Sequence, residues 1–303
     1  MPFAPFSPAL RECHKTYRLY RFEARGIGRT DARPLAHATG SRIACCGIQL
    51  QVHSQPAEAL VTSKHTWSDV WQRVGSSQAS ASTKPSDLLA AGGWTSGAGG
   101  VVTDKAWLSY VDGVAARLEL CAGESVFEVG CGAGAFLLAL CRARDIRVSG
   151  VDVAPSLIAL AKRAIPSGRF EVADAAKDPV HPSIASGIAA NDVTVMNSVV
   201  AYLPSLETVA RLFNAFSANA KRVAVLDIPN AHLRGQREAA RRSLLAPGEY
   251  DRRYRSEGLQ HLYIEPEWLV VLAESAGFSA TVMTQDIPGF AQSKYHFNIF
   301  LRR

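Results

Sequence analysis

The chain has 303 residues, 48% hydrophobic and 20% charged, a globular balance that excludes collagen, a disulfide miniprotein and wholesale disorder. No apolar run reaches about 18 residues, which argues against a membrane-spanning helix; the most apolar stretch, 188–203, is broken by Asn191, Asp192 and Asn197. Of the net charge of +6, residues 1–64 carry most, with nine Lys/Arg against four Asp/Glu, while residues 65–303 hold 24 against 23, so the clustered cations that nucleic acid requires are missing from the body.

Residues 1–64 carry Pro2, Pro5, Pro8, Pro34 and Pro56 and a series of arginines, and neither a helical nor a strand period persists. They read as a basic, poorly ordered N-terminal extension. An Arg-rich, acid-poor leader would address an organelle, but Glu12, Glu23 and Asp31 interrupt this one, so an extension without a targeting role is expected. Cysteines at 13, 45, 46, 121, 131 and 141 form no C-x-x-C pair and match no zinc spacing. No metal site is expected, and reduced thiols of a cytoplasmic protein are. Residues 65–104 are small, polar and glycine-rich and read as a linker with a loop near the site.

From Asp104 to Leu120 the apolar residues Val111, Val114, Ala115 and Leu118 recur on one helical face, and Gly123 follows. Strands are expected at 125–129, 147–151, 169–172, 192–196 and 222–228, with helices at 135–142, 155–164 and 204–218 between them. This alternation predicts an α/β fold, a parallel sheet with helices on both faces. A helix at 266–276 follows, then strands at 280–286 and 296–301 with only a loop between them. Such strands must be antiparallel neighbours, since a parallel return needs a longer crossover.

Between the first of these strands and its helix lies Glu128-Val-Gly130-Cys131-Gly132-Ala-Gly134. Glycines there allow a tight turn and a close ligand approach at a helix N-terminus. Gly130, Gly132 and Ala135 also satisfy the G-x-G-x-x-A pattern of nicotinamide or flavin binding. Glu128 opposes that reading, because a carboxylate beside the turn repels a phosphate. So do the antiparallel ending and the further acid Asp174 after the third strand.

Together these residues resemble the class I S-adenosylmethionine-dependent methyltransferases over roughly residues 105–303. The acid-x-G-x-G-x-G motif of that family fits Glu128 to Gly134, with Cys131 as a small wall residue. Asp152, followed by Val153, matches the acid that takes both ribose hydroxyls. Asp174, followed by Ala175, matches the acid that faces the adenine amino group, and Asn197 opens the segment lining methionine and substrate. The resemblance implies a Rossmann-like doubly wound sheet of seven strands, parallel except for a C-terminal antiparallel hairpin, and S-adenosyl-L-methionine as cofactor. That cofactor is a sulfonium cation without phosphate, which makes Glu128 tolerable, and a carboxylate is the natural acceptor for two vicinal hydroxyls.

The substrate is less legible. Asn197-Ser-Val-Val stands where amino-methylating DNA enzymes carry an Asn/Asp-Pro-Pro-Tyr quartet, which argues against flipped bases. Residues 229–265 form an insertion far longer than the usual loop of roughly 2–6 residues, and in this family such insertions cover the substrate. Arg234, Arg237 and Arg241 share one face if it is helical, either as a solvated stripe or as a grip on an anion, with Tyr254 nearby in sequence. His261 is the candidate general base, and Tyr202 and His232 are weaker ones. A metal-independent methyl transfer to oxygen or nitrogen of a small molecule, anionic if the arginine face grips it, is the expectation. A protein or RNA methyltransferase, or a non-catalytic cofactor-binding subunit, is the alternative.

Overall fold

The computed structural model describes residues 42–45, 48–51, 66–76, 84–94, 101–176, 181–254 and 259–303. The remainder of the N-terminal segment 1–64 lies outside them. Its two described pieces, β1 (Arg42–Cys45) and β2 (Ile48–Gln51), pair antiparallel.

The stretch 65–104, expected as a linker, contains two helices instead, α1 (Trp67–Ser76) and α2 (Pro85–Ala91). Tertiary burial overrides the small-residue composition: Pro85, Leu88, Leu89 and Ala91 of α2 are buried, and most helical stability comes from packing a face rather than from propensity. Next comes α3 (Asp104–Arg117), capped by Thr103, whose hydroxyl accepts the Ala106 N–H and so satisfies one of the four open donors of a helix start.

The alternating body then runs β3 (Ser125–Val129), α4 (Ala135–Ala143), β4 (Arg147–Asp152), α5 (Pro155–Ala164), β5 (Arg169–Val172), α6 (Pro182–Ala190), β6 (Val193–Asn197), α7 (Leu206–Asn219) and β7 (Arg222–Pro229). Helix α6 was hidden in the sequence, because its Ile-Ala-Ser-Gly text merges with the apolar strand after it. Pro182 opens it, and Ile184 and Ile188, one turn apart, bury its inner face. The insertion contains α8 (Arg234–Ser243) and α9 (Glu249–Tyr254), and the chain ends with α10 (Pro266–Ser275), β8 (Ser279–Thr284) and β9 (His296–Arg302).

The main sheet has seven strands in the order β5-β4-β3-β6-β7-β9-β8. Strands β3 to β7 are parallel, and β9 runs antiparallel to both β7 and β8. Successive strand residues serve opposite faces. Val126, Val193, Val195, Ala224 and Leu226 join the apolar layer under α2–α5. Phe127, Val129, Met196, Val223 and Val225 join the layer under α6, α7 and α10. Burial on both faces explains why all five residues of β3 and of β6 are inaccessible, as expected of a parallel sheet covered on both sides. The order reverses between β3 and β6, and in open α/β sheets ligands bind outside the carboxyl ends of the strands at such a switch.

Candidate active site

The first wall of that crevice is the turn after β3. Gly130 has φ +75°, and a Cβ there would lie 2.2 Å from Val199 Cγ2, so the turn after β3 and the loop after β6 approach as only glycine allows. At Gly132, φ +52°, a Cβ would meet nothing within 4 Å. The backbone therefore borders open space where a ligand group can reach it. Cys131 is buried and lies beneath the turn, where burial first, then Asp152 and Glu128, hold its thiol well above the usual range.

Asp152 ends β4 and is buried. Its Oδ2 accepts the Gly132 N–H at 2.8 Å and its Oδ1 accepts the Ala154 N–H at 2.9 Å. Each oxygen keeps a second lone pair, so Asp152 shapes the turn and remains able to accept hydroxyls. Burial raises its carboxyl above the ordinary value against these bonds, and Asp174 adds to the rise. Val153 and Ala175 are half-buried, and Asp174 Oδ1 accepts the Ala176 N–H at 2.9 Å.

Glu128 is 2% exposed, and its Oε2 has no hydrogen-bond partner among the described residues. Burial and then Asp152 hold its carboxyl well above the usual range. Across the switch, Asn197 is buried, and its Oδ1 has no hydrogen-bond partner among the described residues. Unsatisfied buried acceptors of this kind cost roughly 1–3 kcal/mol each, and they suit a ligand with cationic and N–H groups and no phosphate. The residues present thus fit S-adenosylmethionine.

The second wall is aromatic. Tyr202 lies in the turn after β6, and its ring centroid is 4.9 Å from that of Trp67, 4.9 Å from that of Trp71 and 5.5 Å from that of His261. Trp67 also lies 5.0 Å from the His261 ring, and its indole N–H donates to the Gln260 carbonyl at 3.1 Å. Tyr202 and His261, each read from the sequence as a candidate base, thus lie side by side, packed on a helix that the linker reading hid. Two tryptophans four residues apart after a polar stretch were the signal available. Burial, then the charges of Arg241 and Arg237, then His296, push His261 well below the usual histidine range, so the ring is neutral at pH 7.

The insertion closes on itself. Ala231 N–H donates to the Ile264 carbonyl and Ile264 N–H to the Pro229 carbonyl, each at 2.9 Å, and Leu262 N–H donates to the Ala201 carbonyl at 2.8 Å. Arg237 is 2% exposed. Its Nη1 donates to Tyr263 Oη at 2.9 Å, its guanidinium lies 5.3 Å from the Tyr263 ring centroid, and its Nε has no partner among the described residues. The arginine face of α8 is therefore not a solvated stripe: Arg237 is inside and Arg241 half-buried, while the apolar Leu244 is 61% exposed. His232 stands apart as an exposed residue, its Nε2 2.9 Å from Glu267 Oε2. Tyr254 closes α9, and its side chain lies outside the described part. Among the described residues no three His, Cys, Asp or Glu side chains group as a metal site.

Sequence reasoning missed a buried pair. Asp227, late in β7, and His296, at the start of β9, meet through Oδ1 and Nδ1, and each is 4% exposed. Ser198 Oγ donates to Asp227 Oδ2 at 2.6 Å, and Asp227 N–H donates to Asn298 Oδ1 at 2.9 Å.

Residues 127–226 match the family model described as a methyltransferase domain. No curated protein matches the chain. Among solved structures, the cyclase SpnF is 17% identical and superposes with a TM-score of 0.50 over 79% of this chain and 97% of its own. Magnesium protoporphyrin IX methyltransferase from Synechocystis PCC 6803, with bound S-adenosylhomocysteine, is 18% identical over 66% of this chain and 84% of its own, at a TM-score of 0.45. A TehB-like S-adenosylmethionine-dependent methyltransferase from Corynebacterium glutamicum is 15% identical over 65% and 87%, at 0.43. Among the described residues no helix is long and apolar enough to cross a membrane. The matched span opens inside the strand bearing Glu128 and closes one residue before Asp227, so residues 127–226 of this chain carry the methyltransferase domain that the family model describes.

Proposed function

We propose that the enzyme methylates an oxygen or nitrogen of a small, anionic molecule by metal-independent in-line displacement. Bound S-adenosylmethionine supplies an electrophilic methyl group on a sulfonium. Glu128, the glycine turn, Asp152, Asp174 and Asn197 hold and orient it from the β3–β6 switch. Trp67, Trp71, Tyr202 and His261 present ring faces and edges to a flat acceptor and exclude water from it. Positioning of this kind contributes about 7–11 kcal/mol to barrier reduction in favourable cases.

The observation that carries the anionic reading is Arg237. A guanidinium 2% exposed, with an open Nε and no ion pair among the described residues, is a costly buried charge unless a ligand brings the counter-charge. A carboxylate or phosphate on the substrate supplies it. The insertion, tied back to the body by backbone bonds from Ala231, Leu262 and Ile264, supports a small molecule over a protein or RNA. The unpaired thiols of Cys121, Cys131 and Cys141 accord with a cytoplasmic setting.

A metabolite extract incubated with methyl-labelled cofactor identifies the acceptor. Against it, Arg237→Ala is expected to raise KM about 10- to 100-fold with kcat nearly unchanged, the pattern of lost ground-state binding to a charged group. Labelling confined to uncharged acceptors, or an unchanged KM, removes the anion from the reading.

A further inference from the structure

Three strand ends converge behind the aromatic wall. Strand β7 bulges between Val225 and Ile228 against β9, and within the bulge Asp227 has φ +59°. Ser198, just past β6, has φ +58°. Both lie in the left-handed region that non-glycine residues seldom occupy. Bulges next to active sites re-aim side chains, and here Asp227 bonds inward to β6 and β9 at once. Both of its carboxylate oxygens are engaged, by Ser198 Oγ and by His296 Nδ1. His296 is therefore held by one ring nitrogen only. The other, Nε2, is buried and has no hydrogen-bond partner among the described residues.

We propose that His296 Nε2, its ring oriented by Asp227, is the proton acceptor for a substrate hydroxyl, which makes this enzyme an O-methyltransferase. The proposal rests on the methyltransferase reading above and names the accepting atom that the reading leaves open. The placement favours it. His296 starts β9 opposite Pro229, the last residue of parallel β7, at the carboxyl edge that carries Glu128 and Asn197. Its ring faces Phe290 at 6.1 Å between centroids. The charged and titratable groups facing the pair come from every neighbouring element: Asp227 from β7, Arg237 and Arg241 from α8, His261 from the end of the insertion, and Tyr110 from α3, which faces Asp227.

These neighbours set the protonation state. Burial lowers His296, Asp227 raises it, and Arg237 and Arg241 lower it again, leaving it below the usual histidine range. Burial raises Asp227, but His296 and Ser198 hold it net below the usual carboxylate range. At pH 7 the pair is a carboxylate and a neutral imidazole. The Nδ1–H donates to Asp227, so Nε2 carries a lone pair. A substrate O–H placed there breaks with its proton passing to Nε2. The oxygen keeps the electron pair and forms the bond to the incoming methyl, whose former bonding pair stays on sulfur. The imidazolium left behind is stabilised by the Asp227 carboxylate and later returns its proton to solvent.

The tautomer is measurable without any substrate. Nitrogen NMR of the full-length protein, labelled at histidine and saturated with S-adenosylhomocysteine at pH 7, should show His296 neutral, with Nδ1 protonated and Nε2 bare. His296→Asn assigns the signal, and Asp227→Asn should abolish the tautomer preference. A bare Nδ1, or a ring charged at pH 7, overturns the proposal whether or not a substrate is known. Calorimetry with S-adenosylhomocysteine separates the two levels: no binding by the wild-type protein sinks the methyltransferase reading, whereas binding with the wrong tautomer sinks only the base. Matched probes, 4-hydroxybenzoate and 4-aminobenzoate, add a kinetic reading. If either is turned over, it should be the hydroxy acid, and His296→Asn should lower its kcat by roughly 10²- to 10⁴-fold with KM little changed. Preference for the amine, or undiminished turnover in a variant that still binds S-adenosylhomocysteine, contradicts the proposal.

Discussion

At the scale of single residues, the cofactor side of the site is under electrostatic tension. Glu128 is buried without a partner for Oε2, and its carboxyl is held above the ordinary value by burial and Asp152. A cationic cofactor reverses that balance, so binding should release a proton from Glu128. Calorimetry in two buffers of different ionisation enthalpy reads this directly, and equal apparent enthalpies would contradict it. Glu128→Gln should raise the melting temperature of the free protein and weaken S-adenosylmethionine. Asp152→Ala should cost roughly 1.5–3 kcal/mol of cofactor binding, and it also releases the Gly132 amide it now holds. An unchanged Kd removes Asp152 from the site. The placement of Glu128, Asp152 and the glycines at strand ends was legible in the sequence because each lies within a few residues of a strand end, where local spacing carries the signal. Asp227 and His296 were not, since they are 69 residues apart and meet only because β9 inserts beside β7.

At the scale of elements, α1 and the insertion were the hard parts. Apart from α6, the strand–helix alternation from β3 to β7 was readable from periodicity, and so was the antiparallel end. Helix α1 was not, because its role depends on Tyr202 and His261, more than a hundred residues away. The arginine face of α8 was readable as a face, but which way it pointed depended on Tyr263. Trp67→Ala and Trp71→Ala should each raise KM for the acceptor several-fold while leaving S-adenosylmethionine affinity within error. Loss of cofactor binding in either variant would mean that α1 supports the cofactor pocket rather than the acceptor side.

At the scale of the whole molecule, two neutral histidines, the half-buried His261 and the buried His296, set the acid response. His261 and His296 are both depressed in the folded protein. Below about pH 6.5 the unfolded chain takes up protons that these rings do not, so stability rises with pH in that window and falls as pH drops through it. Asp227 adds stability that is present above the ordinary carboxylate value and lost only as pH falls through its depressed folded one. Glu128 acts oppositely, its contribution being lost as pH rises through its raised folded value. The melting temperature should therefore climb from pH 5 to pH 7, and less steeply in His261→Phe; a flat wild-type profile would mean the rings are charged. Removal of residues 1–64 takes nine Lys/Arg and four Asp/Glu with it and should leave cofactor affinity intact, because the cofactor residues named here lie beyond residue 125. A truncation that no longer binds cofactor would show that the segment is needed by the body.

The aromatic wall gives the protein a built-in optical gauge. Two of its five tryptophans, Trp67 and Trp71, stand edge-on to Tyr202, with the His261 imidazole against one of them. An acceptor that slides among these rings alters the polarity around both indoles, so their emission should shift in colour and intensity as it binds. Candidate substrates are then sortable by fluorescence titration before any product is sought.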